Sequence, residues 1–274
     1  MTNKFFRGLF VCILALSTVA FADTVSSTTG TAQWVANTGP VATGGIPPTT
    51  TGTFFWDNAS YDASTSASKC NVGYFLNGTQ TGCGAATSYN NIGAPPGNLN
   101  FLAANATGSA DVANMTFTGV GDTATFRAAF TFNNGTASAF PDVFGWFNTS
   151  DGVLHQLFSV ANTAVNTATF TPTGSFGYYM GNGATIYRST TEGQQFALFA
   201  AGAAGSPPTN LGTYWIGVED ARNTNFAYST TTGDYDYQDM IIKIEAVPEP
   251  AYVALLLAGF AGLAFFARRR QGVV

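Results

Sequence analysis

Acidic side chains are concentrated in one stretch near the C-terminal end of the chain. Six of them fall between residues 219 and 245. Carboxylates this close repel one another unless a cation joins them. An extended segment places Asp234 and Asp236 on one face, and oxygen ligands of this kind suit Ca²⁺. The candidate ligands of a calcium site are Glu219, Asp220, Asp234, Asp236 and Asp239.

The acidic stretch has two interpretations besides a calcium site. An EF-hand loop that begins at Asp234 would place Glu245 at its twelfth position, but its sixth residue is Asp239, where that loop needs glycine. The EF-hand is therefore excluded. The acidic residues can also form a solvated loop, with Tyr235 and Tyr237 packed on the edge of a sheet.

No set of residues dictates an enzymatic reaction. His155 is the only histidine, so a transition-metal site with two or three histidine ligands within one chain is excluded. A Ser-His-Asp triad would need Asp151, which belongs to a predicted hairpin turn, and no G-x-S-x-G motif is present. We expect His155 to be a partly buried structural side chain on a strand face with Val153 and Leu157, and we expect no enzymatic activity.

Aromatic rings are the side chains that would recognise a sugar. Trp34 and Trp56 are the candidates for stacking on a carbohydrate, and packing in a core or at a sheet edge is the alternative. Glycoside hydrolysis needs a facing pair of carboxylates, and no spacing singles out such a pair.

Composition and charge limit the class of protein. The chain has 274 residues, 46% hydrophobic and 14% aromatic, which is enough apolar material for a sizeable core. Between residues 23 and 247 there are five basic and 14 acidic residues. A surface with so few basic groups excludes a nucleic-acid partner. Cys70 and Cys83 are predicted to form a disulfide in an oxidising compartment; a reactive thiol pair is the alternative, without C-x-x-C spacing.

The N-terminal residues 1–22 have the layout of a secretory signal peptide. Two basic residues precede an apolar run from Leu9 to Val19, and Ala20-Phe21-Ala22 supplies the small residues of a cleavage site. We expect passage through the Sec translocon and cleavage after Ala22 by signal peptidase. A membrane anchor is the alternative, but the apolar run is shorter than the roughly 20 residues that span a bilayer.

The C-terminal end has three parts in a fixed order. Val247-Pro248-Glu249-Pro250 is followed by an uncharged stretch over residues 251–267, and then by Arg268, Arg269 and Arg270. The prolines keep the first part extended, the second has about the length of a short transmembrane helix, and the arginines mark its cytoplasmic side.

This tail resembles the PEP-CTERM sorting signal of Gram-negative bacteria. The resemblance implies an exosortase as partner, anchoring in the inner membrane before processing, removal of the tail near Pro248 to Pro250, and delivery to the cell surface or extracellular matrix. A plain C-terminal anchor is the alternative. In addition, Trp215 to Asp220 followed by Asp234 to Ile242 resembles the C-terminal part of a domain of unknown function in such surface proteins, which implies a β-sandwich with a calcium-binding acidic end.

Short strands are the elements that must position these residues. Apolar alternation and Gly, Asn and Pro turns predict strands at Met115 to Val120, Ala124 to Phe132, Val143 to Phe147, Val153 to Phe158, Ala168 to Thr171, Phe176 to Met180, Ala184 to Arg188, Gln195 to Ala200, Thr213 to Val218 and Met240 to Glu245. Residues 54–56 and 73–76 would add one or two more. The predicted fold is an all-β antiparallel sandwich, jelly-roll-like, with long N-terminal loops, plus an N-terminal signal helix and a single C-terminal transmembrane helix.

The predicted organisation is a signal peptide over residues 1–22, one sandwich domain over 23–246, a sorting signal over 247–270 with its transmembrane helix at 251–267, and a short end over 271–274. The function that we expect is a structural or adhesive component associated with exopolysaccharide. A carbohydrate-binding module for that polymer is the alternative, and a polysaccharide hydrolase is a third.

Overall fold

The computed structural model describes residues 23–27, 32–36, 72, 76, 98–103, 113–119, 125–130, 142–159, 167–182, 185–202, 211–219, 237, 240–247, 257–264 and 268. Within them lie thirteen strands: β1 (Thr24–Ser27), β2 (Gln33–Ala36), β3 (Leu99–Ala103), β4 (Met115–Thr118), β5 (Thr125–Phe130), β6 (Asp142–Asn148), β7 (Leu154–Ser159), β8 (Thr167–Phe170), β9 (Ser175–Asn182), β10 (Thr185–Arg188), β11 (Phe196–Ala201), β12 (Thr213–Val218) and β13 (Met240–Val247).

The strands form two antiparallel sheets. The six-stranded sheet has the order β1-β4-β9-β6-β7, with β10 also paired to β9, and the seven-stranded sheet has the order β2-β3-β11-β12-β13-β5-β8. The prediction of an antiparallel all-β fold is confirmed. A jelly roll has eight strands in two Greek keys, so the jelly-roll subtype stays a prediction for this more elaborate pair of sheets.

The main core lies between the two sheets. In the six-stranded sheet, β9 turns Phe176, Tyr178 and Met180 toward it. In the seven-stranded sheet, β12 contributes Tyr214 and Ile216. These residues alternate along their strands, as expected when one face of a strand meets a core. The shared core makes the two sheets a sandwich.

A second core covers part of the outer face of the seven-stranded sheet. Its members include Phe101, Phe199 and Trp215, whose strand neighbours point into the main core. Burial on both faces explains the unbroken apolar run of β11, FALFAA. Val72 and Leu76 complete this outer layer, and both are helical. The prediction of a strand over residues 73–76 is therefore wrong at Leu76, where an apolar run without clear alternation is compatible with either structure.

The two ends of the sandwich differ in what they hold. The terminal end carries Asp23, just before β1, together with Leu211, Gly212 and the close of β13. At the distal end, Asn114 Oδ1 accepts a hydrogen bond from Gly193 N at 2.8 Å. Glu219 N donates to Gln195 O there at 3.1 Å. The connection from β12 to β13 therefore leaves and re-enters the sheet at the distal end.

Candidate processing site

The first described residue joins the two sheets through its backbone. Asp23 N donates to Leu211 O at 3.2 Å, and Leu211 N donates to Asp23 O at 2.7 Å. Asp23 precedes β1 of the six-stranded sheet, whereas Leu211 precedes β12 of the seven-stranded sheet. This isolated antiparallel bridge fixes the start of the domain at the terminal end.

The side chain of Asp23 is fully buried beneath that bridge. Its Oδ2 accepts a hydrogen bond from the Tyr214 hydroxyl at 3.0 Å, while its Oδ1 has no hydrogen-bond partner. Burial raises the pKa of Asp23 to about 8, against a smaller lowering by the Tyr214 hydrogen bond. In the chain that still carries residue 22, the carboxyl group of Asp23 is therefore mostly protonated at neutral pH.

A second tyrosine extends this contact to the opposite sheet. The hydroxyls of Tyr214 on β12 and Tyr178 on β9 are 2.7 Å apart. Because Tyr214 donates its only hydroxyl proton to Asp23, Tyr178 is the donor in this second bond. Burial raises the pKa of both tyrosines, so both stay neutral. Phe117 stacks on Tyr214 with 5.5 Å between ring centres, which encloses the polar groups in apolar surface.

The end of β13 lies beside this bridge. Ala246 N donates to Gly212 O at 2.9 Å, and Val247 pairs with Thr125 of β5. Gly212 follows Leu211 directly, so Asp23 and Ala246 are held by consecutive residues, whose Cα atoms are about 3.8 Å apart. The two ends of the domain thus leave the sandwich at the same place.

Beyond β13, the structure describes a helical segment over residues 257–264. Leu257 and Leu263 are 61% and 50% exposed, so large apolar side chains of this segment face outward. Arg268 is also helical and exposed. Within the described ranges no helix is both long and apolar enough to cross a membrane, and the predicted span over 251–267 is described only at 257–264.

The order of strand end, apolar segment and arginine agrees with a comparison to family models. The model of the PEP-CTERM protein-sorting motif matches residues 246–271. The chain carries a PEP-CTERM sorting signal. It is therefore an exported protein that is anchored in the membrane before processing, with an exosortase as its processing partner. Searches of curated proteins and of solved structures gave no match.

The predicted sorting residues divide between described and undescribed parts. The PEP-CTERM match covers Val247, Pro248, Glu249 and Pro250 as well as Arg268, Arg269 and Arg270. Val247 is the last residue of β13, so the PEP-CTERM signal begins inside the folded sheet. Ala20, Ala22, Pro248, Glu249, Pro250, Arg269 and Arg270 lie outside the described residues. Cleavage after Ala22 stays a prediction.

Glu219 is the one candidate calcium ligand that the structure describes. It is 1% exposed at the distal end, and its Oε2 accepts a hydrogen bond from Tyr237 N at 3.3 Å. Tyr237 has a φ of 54°, a strained conformation for an aromatic residue, and lies in the second core instead of at a sheet edge. Asp220, Asp234, Asp236 and Asp239 lie outside the described residues.

Metal binding at this place stays a prediction. Within the part of the chain that the structure describes, no group of three or more His, Cys, Asp or Glu side chains could hold a metal ion. The described geometry assigns Glu219 a positioning contact, since its carboxylate fixes the backbone of Tyr237 in the middle of the acidic stretch.

The remaining candidates are on the sheets or outside the described ranges. His155 is exposed, so the prediction of partial burial is wrong; its ring stacks on Trp146 at the edge strand β7, with 4.3 Å between ring centres. Asp151 Oδ1 accepts a hydrogen bond from Val153 N at 2.9 Å, which confirms its place in a hairpin turn.

Trp34, a candidate for stacking on a sugar, is half-buried on β2 and packs against the main core. Trp56, Cys70 and Cys83 lie outside the described residues.

The buried contact of Asp23 with Tyr214 and Tyr178 is the feature that sequence reasoning missed. The three residues are far apart in the chain, and none belongs to a recognisable motif. From sequence, an aspartate directly after a predicted signal peptide is expected to be solvated, since buried aspartates are rare without a partner. No local pattern could have revealed it.

Proposed function

We propose that the protein is a non-enzymatic structural or adhesive component of an exopolysaccharide-rich extracellular matrix, displayed from the cell surface after exosortase processing. The observation that carries this proposal is that Asp23 and Ala246 hydrogen-bond to the consecutive residues Leu211 and Gly212, so both ends of the domain lie at one end of the sandwich. Before the tail is removed, the terminal end then faces the membrane and the distal end faces outward.

The attachment of the C-terminal tail supports a structural role. β13 lies between β12 and β5 and is paired along its length up to Val247. A pull on the C-terminus that processing leaves after β13 would therefore act on an inner strand held by neighbours on both sides. Such a strand yields only when several hydrogen bonds break together, which suits a domain that bears load between cell and polymer.

The distal end supports an adhesive role. It receives the acidic connection between β12 and β13, from Glu219 to Met240, and the short 3-10 helix Gly193–Gln195. These segments leave the sandwich at the end opposite the tail and would therefore meet the matrix. The acidic charge would disfavour polyanions, so a neutral or cation-bridged polymer is the expected partner.

A calcium ion at the distal end is part of the same proposal. Glu219 would position the acidic stretch through Tyr237, and Asp220, Asp234, Asp236 and Asp239 would supply oxygen ligands. Addition of millimolar Ca²⁺ to the purified protein should raise its melting temperature, and Mg²⁺ serves as the control. No rise with Ca²⁺ would remove the ion from the proposal.

The function is tested with purified exopolysaccharide and the wild-type protein. Co-sedimentation that changes little in Trp34→Ala supports a structural association, whereas saturable binding to a defined oligosaccharide that is lost in Trp34→Ala would favour the carbohydrate-binding module. Release of reducing ends from the polymer would overturn the non-enzymatic proposal and favour the hydrolase. A protein that neither sediments with the polymer nor changes matrix cohesion when its gene is deleted would contradict the proposal as a whole.

A further inference from the structure

Among the described residues, one of the buried polar atoms that lack a hydrogen-bond partner lies at the terminal end of the sandwich. Asp23 Oδ1 is buried with no hydrogen bond, although every other polar atom of this residue is engaged. An unpaired buried carboxyl oxygen is costly, and native proteins leave few of them. Asp23 is also the residue that directly follows the predicted cleavage site at Ala22. These two facts concern the same residue.

Cleavage would change the chemistry of that residue. Hydrolysis of the Ala22–Asp23 amide consumes one water, leaves a carboxylate on Ala22 and frees the α-amino group of Asp23, which takes up a proton. A backbone amide has one N–H to donate, whereas an α-ammonium has three and carries a positive charge. The new donors arise on the same residue as the unpaired oxygen, within about 4 Å of it by covalent geometry.

We propose that the mature protein buries its own amino terminus as an internal ion pair: the α-ammonium of Asp23 donates to Leu211 O and to the Oδ1 of the Asp23 carboxylate, and signal-peptide removal thereby completes the terminal end of the sandwich. This inference rests on the cleavage after Ala22 that belongs to the proposed export route.

The surroundings of Asp23 favour such a pair. Among the described residues, the titratable groups that face its carboxyl group are the hydroxyls of Tyr214 and, behind it, Tyr178. Both are neutral donors, and neither supplies positive charge. The ammonium would be a cation on the same residue, and an opposite charge this close lowers the pKa of a carboxyl group. The raised pKa that burial gives Asp23 before cleavage should therefore fall after it.

Cleavage before Asp23 should change the stability of the folded domain. Before cleavage, the terminal end contains a neutral carboxyl group with one unsatisfied oxygen. After cleavage, the same place contains a carboxylate with donors on both oxygens, and the Asp23–Leu211 bridge gains a charged donor. The exported form should therefore be more stable than the uncut chain at neutral pH, and the difference should grow as the pH rises.

The test compares two full-length preparations in detergent, one that begins at Asp23 and one that keeps Phe21-Ala22 before it. Melting temperatures are measured from pH 5 to pH 8, and the same pair is made with Asp23→Asn as the matched control. We expect the melting temperature of the extended chain to fall with rising pH more steeply than that of the chain beginning at Asp23. The difference should vanish with Asp23→Asn.

A second measurement uses the wild-type chain alone. An amine-acylating reagent should modify the α-amino group of folded, mature protein at least about tenfold more slowly than that of the urea-unfolded protein, because burial limits its access. Equal pH slopes in the two preparations, or acylation at the unfolded rate, would overturn the ion pair.

Sequencing of the amino terminus of protein recovered from cells separates this failure from a failure of the export route. A mature chain that begins elsewhere than Asp23 refutes the cleavage and the pair together. A chain that begins at Asp23 with equal pH slopes leaves the cleavage standing and refutes the pair alone.

Discussion

The hydroxyl oxygens of Tyr178 and Tyr214 lie 2.7 Å apart in the main core, one on each sheet of the sandwich. Through Tyr214 this contact continues to Asp23, so a line of hydrogen bonds crosses from the six-stranded sheet to the start of the domain. Buried polar groups that satisfy one another in this way specify a single arrangement of the surfaces that carry them. The terminal end is therefore fixed by side chains as well as by backbone.

The first prediction compares the two tyrosines. Tyr214→Phe removes the one hydrogen bond that the described residues give to the Asp23 side chain, and it should lower the free energy of unfolding by about 1–3 kcal/mol, because a buried carboxyl group is left unsatisfied. Tyr178→Phe is the matched control, since it keeps the Tyr214–Asp23 bond. It should cost about 0.5–1.5 kcal/mol. Urea unfolding measures both, and a larger loss in Tyr178→Phe would contradict the assigned direction of donation.

The second prediction concerns pH in the chain that keeps residue 22. The pKa of Asp23 is about 8 in the folded chain against 3.8 as its ordinary value. Between these values the folded state holds a proton that the unfolded state has lost. Stability from this group is thus full at acid pH and is lost as the pH rises toward 8, by at most about 1.4 kcal/mol per pH unit.

Asp23→Asn cannot titrate, and it isolates this contribution. The variant should show a flatter profile of unfolding free energy between pH 4 and pH 8 than the wild-type chain, measured by urea unfolding at each pH. Other titrating groups contribute equally to both profiles. Parallel profiles would mean that Asp23 is not buried in the way the structure describes.

The third prediction concerns the packing of the six-stranded sheet. A Cβ atom at Gly145 would lie 2.5 Å from Tyr179 Cε1 and would also collide with His155 O, a backbone atom that cannot move aside. Gly145→Ala should therefore cost about 1–3 kcal/mol or more. A Cβ at Gly212 would meet nothing within 4 Å, so Gly212→Ala is the control and should stay within about 1 kcal/mol of wild type. Equal effects in a thermal melt would refute the close approach of β6, β7 and β9.

The fourth prediction concerns the orientation of the membrane-anchored precursor. Ser150 lies in the exposed turn after β6, at the terminal end, whereas Ile186 is exposed on β10 opposite Gly181, near the far end of β9. Single cysteines at these positions, in a chain with Cys12→Ser, Cys70→Ser and Cys83→Ser, carry a fluorophore in vesicles. A lipid-bound quencher should act more strongly on the label at position 150. Equal quenching would contradict a membrane-facing terminal end.

The later two-thirds of the fold could be predicted from sequence because alternation is strong there. Every strand predicted from Met115 onward is present, from β4 to β13, with bounds that differ by no more than two residues. The strands β1, β2 and β3 were not predicted. β1 reads TVSS and offers no apolar alternation, and β3 reads LNFLA, whose residues are buried on both faces. Such strands depend on pairing with distant partners, which local sequence does not encode.

The candidate sites also differ in how far the sequence could predict them. The PEP-CTERM signal is a contiguous pattern, and the match over residues 246–271 confirms it. The burial of Glu219 and Asp23 arises from contacts between residues far apart in the chain: Glu219 with Tyr237, and Asp23 with Tyr214. Sequence spacing indicated a solvated or metal-bound role for Glu219, whereas the structure gives it a backbone partner. Long-range contacts of this kind need the folded structure.

Exosortase processing of the tail that follows β13 is the central step in the export of this protein. Mass spectrometry of the protein from a strain with its exosortase and from a strain without it measures this. With the enzyme, the protein in the surface or matrix fraction should end between Val247 and Pro250. Without it, the protein should keep residues 251–274 and stay in the membrane fraction. An intact tail on matrix-located protein from both strains would contradict the account.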